Sequence, residues 1–141
     1  MKKSQLTENA VKHHEELFPN HKSKLQKTDP EFIELFDNWA FDEVIRQSKL
    51  DTKTRVMLTF AMLISLGRCE PQVKGHVTGN LKVGNDRTRL VDVVTQLLPY
   101  IGYPRTLNAL RVIGEVVPPT NIASAASTAH WPLRQQLENT L

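Results

Sequence analysis

The run Val56 to Leu66, VMLTFAMLISL, constrains the fold of this chain more than any other segment. It is apolar over more than one helical face, so a single amphipathic contact cannot bury it. It is also about half the length of roughly 20 residues that a helix needs to cross a bilayer. The run therefore predicts a core helix that neighbours must wrap, in a small helical bundle. Leu50-Asp51-Thr52-Lys53 begins that helix and Gly67 stops it.

The rest of the sequence reads as further helices, with few strand signals. Ser4 to Leu17 carries a weak amphipathic pattern that ends near Phe18-Pro19-Asn20. Thr28-Asp29-Pro30-Glu31 is a helix start, with proline and acids in the first turn. A broad stripe from Phe32 to Ile45 follows it. A helix from Arg68–Pro71 runs to Val83-Gly84, with Gly84 in the C-cap place, and Asn85 or Asp86 caps the next. Pro99 is expected to bend or stop that one. Gly102-Tyr103-Pro104 opens a last helix, which Pro118-Pro119 closes. The Ala/Ser-rich remainder carries a short helical candidate from Pro132 to Leu137. The expected organisation is an N-terminal helical extension over 1–28, one all-α domain over 29–117 and a C-terminal arm over 118–141.

At 141 residues the chain has room for one ordinary domain. A formal net charge of +3 is mild, and the early lysines are interrupted by acids without aromatic or Gly-rich partners. That pattern predicts a solvated basic face and no nucleic-acid partner. The single cysteine permits no intrachain disulfide and fits a reducing compartment. MKKSQLTENA has no apolar segment behind its lysines, so no signal peptide is expected, and the reading is soluble and cytoplasmic, without a membrane partner. Surplus apolar surface on several helices suggests a homo-oligomer.

Gly67 to His76 gathers the groups able to do chemistry. On helical spacing Cys69, Gln72, Val73 and His76 fall on one face, so Cys69 and His76 are expected to point into one pocket with Gln72 between them. A lone cysteine near a helix start is more usually a small buried apolar residue. The pair His13 and His14 beside Glu16 lacks the spacing and further ligands of a metal site, so no metal is expected there.

A series of ordered blocks resembles the carboxymuconolactone decarboxylase family, which includes the alkylhydroperoxidase-D-like proteins. They are Asp29-Pro30-Glu31-Phe32 with Trp39 and Asp42-Glu43-Val44; Leu50-Asp51-Thr52-Lys53-Thr54-Arg55; Leu66-Gly67-Arg68 followed by Glu70 and His76; and Gln96, Tyr100, Gly102, Pro104, Asn108 and Ala109. The resemblance implies an all-α fold with a central helical hairpin, assembled as trimers or hexamers. It also implies one of two chemistries. Peroxidase-type members use Cys-x-x-Cys-x-x-x-His, in which one thiolate attacks the oxidant and the second resolves it. Here Gln72 stands at the second cysteine position, so a dithiol cycle is excluded and only a single-thiol reaction through Cys69 remains.

Decarboxylase-type members act without a cofactor on γ-carboxymuconolactone, whose conjugated carbonyl accepts the electrons released with carbon dioxide. By resemblance His76 carries the proton, Arg55 is a carboxylate clamp or a structural ion-pair partner, and Glu43 either orients His76 or Arg55 or is structural. Cys69, Gln72, Tyr100, Tyr103 and Asn108 then line the substrate site. Trp39-Ala40-Phe41-Asp42 departs from the family's Trp-Gly-Glu block, and Pro71-Gln72 and Gly79-Asn80 depart from its central helix. The expected function is decarboxylation or related proton transfer on a small carboxylated lactone or keto acid. The alternatives are the single-thiol reaction and a non-catalytic oligomer that binds a small molecule.

Overall fold

The computed structural model describes residues 5–119, and these form helices and their connections only. In chain order they are α1 (Glu8–Leu17), α2 (Leu25–Thr28), α3 (Pro30–Asn38), a π-helical turn (Trp39–Glu43), α4 (Val44–Gln47), α5 (Thr52–Leu66), α6 (Glu70–Lys82), α7 (Arg87–Ile101) and α8 (Tyr103–Val116). The helical candidate at Pro132–Leu137 and nearly all of the expected C-terminal arm lie outside the described residues.

Local chemistry fixes most boundaries. Asp51 caps α5 by accepting from the Thr54 amide at 2.8 Å, and Asp86 caps α7 through the Arg89 amide at the same distance. Gly67 ends α5 with φ +73°, and a Cβ there would stand 2.9 Å from Arg105 Nε, so both conformation and space call for glycine. The expectation for Pro99 is corrected. It sits inside α7, which continues to Ile101 and stops at Gly102, φ +79°. Proline so close to a helix end removes one amide from a ladder that is about to finish, and the turn at Gly102 supplies the stop.

The core joins α5 and α6, which form a hairpin, to the pair α7 and α8. Phe60, Val77, Leu90, Val94 and Ile113 are fully excluded from solvent at its centre. Two asparagines replace apolar side chains at one end of this core. Asn80 Nδ2 donates to the carbonyls of His76 and Val56, and Asn85 Nδ2 donates to Asn80 Oδ1 and the Lys53 carbonyl. The pair ties the end of α6 and the start of α7 to the start of α5.

The prediction that α5 is wrapped on every face needs correction. Val56, Phe60 and Ile64 are buried, but Leu58, Met62 and Leu66, one helical turn apart, are each more than half exposed. One chain this small covers a single side of the helix.

The N-terminal segment is held against the domain. Asp42, buried in the π turn, accepts from Thr7 Oγ1 at 2.8 Å, Asn9 Nδ2 at 3.3 Å and Arg46 Nε at 2.7 Å. These bonds, that of Arg46 foremost, hold its carboxyl below the usual range. Thr7 Oγ1 also caps α1 at the Ala10 amide, while the Thr7 amide donates to Asn38 Oδ1. His13 Nδ1 donates to the Phe41 carbonyl at 2.8 Å, inside the turn where the helical ladder has shifted register.

Candidate functional site

His76 lies midway along α6, and its ring borders a cleft of about 670 Å³ between that helix and the N-terminal segment. Pro71, Gln72 and Gly75 share the α6 wall. The facing wall is aromatic. Phe18 meets the imidazole edge-to-face with ring centroids 5.4 Å apart, and Phe41 lies 6.2 Å from Phe18 in the same manner. Phe36 continues the cluster, 6.3 Å from Phe41.

This apolar lining sets the protonation of His76. Burial disfavours the imidazolium and pushes its pKa below the ordinary 6.5. Nδ1 is buried and has no hydrogen-bond partner among the described residues. A neutral ring with an unengaged nitrogen in a ligand-sized cleft is suited to proton transfer or to polarising a bound carbonyl.

His14 and His21 also border the cleft, with ring centroids 5.7 Å apart. Asp37 lies among them, 8% exposed, and burial raises its pKa while the two imidazoles pull it down. Lys22 and Glu15 complete the charged part of the lining, and Glu15 Oε1 accepts from the Asn20 amide at 2.9 Å. Among the described residues no group of three or more His, Cys, Asp or Glu is placed to hold a metal ion. Sequence reasoning gave His14 and His21 no role. The available signal was weak: two histidines flanking Phe18-Pro19, seven residues apart, with nothing to say which helix they would face.

The expectation that Cys69 and His76 share a pocket is corrected. Cys69 is not a helical residue: it is the N-cap of α6, with φ −121° and ψ 32°, so the helical spacing counted from it does not apply. Its thiol donates to the Gly67 carbonyl at 3.2 Å, and it borders a separate pocket of about 220 Å³. Asn108, Arg68 and Arg105 line that second pocket, while the intervening Val73 is core. Of the expected site residues, only Gln72 accompanies His76.

The others lie elsewhere within one chain. Glu43 is exposed on the π turn. Arg55 is half-buried on α5, where Nη2 donates to Thr52 Oγ1 at 3.1 Å and Nε is buried without a partner. Tyr100 and Tyr103 are 79% and 67% exposed at the junction of α7 and α8. None of the four borders the His76 cleft.

The sequence pattern described as "Carboxymuconolactone decarboxylase family" matches residues 30–115, more than half of the chain. No curated protein matches the chain.

Proposed function

The chain belongs to the carboxymuconolactone decarboxylase family, and from that premise we propose that it decarboxylates a small carboxylated lactone or keto acid, with His76 as proton carrier. The observation that carries this reading is the desolvated imidazole, with its unpartnered Nδ1, at the wall of a cleft large enough for such a substrate.

The chemistry follows from the lining. Loss of carbon dioxide from a γ-carboxylated unsaturated lactone breaks one carbon–carbon bond, and its electron pair passes into the conjugated carbonyl as a dienolate. An N–H of neutral His76 can stabilise the developing oxygen charge. Protonation of the dienolate carbon then completes the reaction. His76 takes up that proton from water and passes it to the carbon, so the ring ends neutral as it began, and its lowered pKa makes the transient imidazolium a stronger acid for the step. Lys22 is the basic side chain of the lining whose charge suits a substrate carboxylate. Arg55 and Glu43 stand outside this cleft, so a catalytic part for either requires contact with another copy of the chain.

Single-thiol chemistry at Cys69 is less well supported, because the thiol and His76 border different pockets. The test is carbon dioxide release from γ-carboxymuconolactone. Turnover by the wild type, abolished in His76→Ala with the fold retained, supports the proposal. A wild type that consumes peroxide but releases no carbon dioxide, with consumption lost in Cys69→Ser, would replace it with the thiol reaction.

A further inference from the structure

We propose that Phe18 is the specificity-determining residue of the His76 cleft and that, with Phe36 and Phe41, it selects flat conjugated or aromatic carboxylates over saturated ones. This rests on the cleft being the binding site of a small carboxylate and adds a residue that precedes the family-matched span 30–115. More than half of the residues bordering the cleft also precede that span, so the walls opposite His76 come largely from the N-terminal segment.

Phe18 is seated, not loose. Its ring edge lies in a notch on α6 where two side chains are missing: a Cβ on Gly75 would be 3.8 Å from Phe18 Cε1, and one on Gly79 would be 3.7 Å from it. A Cβ at either position would be in ordinary contact with the ring, and side chains longer than alanine would compete with it for the notch. The backbone is fixed on both sides, since the Phe18 amide donates to the His14 carbonyl at 2.8 Å and its carbonyl accepts from the His21 amide at 3.1 Å. The bonds from Thr7 to Asp42 and Asn38 hold α1 in register behind it.

Seated there, Phe18 controls the approach to His76. The ring pairs His76–Phe18, Phe18–Phe41 and Phe41–Phe36 are all close to perpendicular, with interplanar angles of 78°, 81° and 80°. A lining of alternating ring edges and faces matches a flat π system, which offers both an edge and a face of opposite partial charge. A saturated ring is thicker and has no such quadrupole. The titratable groups bordering the cleft besides His76 are His14, His21, Lys22, Glu15 and Asp37. They orient a carboxylate, but they do not distinguish flat from puckered rings.

The test compares benzoate with cyclohexanecarboxylate, binding each to the full-length protein in calorimetric or NMR titrations. Wild type should prefer benzoate by roughly three- to tenfold, the scale of one or two aromatic pairs. In Phe18→Ala the ratio should fall towards one, and carbethoxylation of His76, followed by peptide mass spectrometry, should accelerate several-fold. Phe18→Leu, which retains apolar bulk, should keep His76 shielded yet also lose the preference, and it decides the matter if the alanine variant does not fold. The proposal is overturned if wild type binds neither probe at millimolar concentration, shows no preference, or retains its preference in the Phe18 variants. Binding here does not require turnover. A protein that keeps the Phe18-dependent preference but releases no carbon dioxide removes the lyase reading and leaves this one standing.

Discussion

At the scale of single residues, His76 is a partly buried imidazole whose charged form the fold disfavours. Its folded pKa lies below 6.5 because of burial, so between that folded value and 6.5 the unfolded chain binds more protons than the folded one. Stability therefore rises with pH across this window and is lost as pH falls through it. Replacing His76 by Gln removes that loss. Urea midpoints measured from pH 4 to 8 should fall less steeply on the acid side for His76→Gln than for the wild type. Asp37 acts in the opposite sense: its raised pKa means that the folded chain binds the extra proton above 3.8, so stability falls as pH rises through its window. Asp37→Asn should consequently raise the urea midpoint at pH 7, and a lower midpoint would show that the carboxylate is held by its histidine neighbours. A third residue test concerns the core. Asn80→Ala leaves the Val56 carbonyl without its side-chain donor and Asn85 with one acceptor fewer, a loss of about 1–3 kcal/mol measurable by urea unfolding.

At the scale of elements, the account depends on α1 being docked. Thr7 serves both as cap and as ligand to the buried Asp42 carboxylate. Thr7→Ala should cost about 1–2 kcal/mol of stability and increase amide hydrogen exchange throughout α1 while leaving α7 and α8 unchanged. Most of the helices were legible because their ends carry explicit chemistry, as Asp51, Gly67 and Asp86 do. Two features were not. The π turn at Trp39–Glu43 interrupts a continuous apolar stripe, and the register shift leaves no mark in residue spacing. The short helix α2 forms on a polar segment with no apolar period. The site suffered from a related problem. Helical spacing placed Gln72 and His76 on the same wall correctly, but it was extended one residue too far, to a cysteine whose backbone is not helical. The docking of α1 onto α6 is a tertiary event. Gly75 and Gly79 mark the notch that receives Phe18, but glycines in a helix announce only that something comes close.

At the scale of the whole molecule, the stripe Leu58, Met62 and Leu66 on α5 is an apolar face that one chain leaves exposed, as it does Leu35 and Trp39. Arg55 begins the same helical stripe, and its Nε is buried and unpartnered. Burial of that face against further copies would account for both, since apolar area would leave water and the guanidinium would gain a chance of an acidic partner. Light scattering should give a mass that is a multiple of 16.0 kDa. Leu58→Glu with Met62→Glu should reduce it to a single chain. A monomeric wild type would remove the only route by which Arg55 or Glu43 reaches an active site. The central claim, that His76 carries the proton in a cleft built jointly by the family domain and the N-terminal segment, has a more direct test. It is the turnover number on γ-carboxymuconolactone of His76→Asn beside the wild type, with equal helix content verified. The account predicts a fall of about 10²–10⁴-fold, the usual contribution of a positioned acid–base group. A variant within a few-fold of the wild type would contradict it.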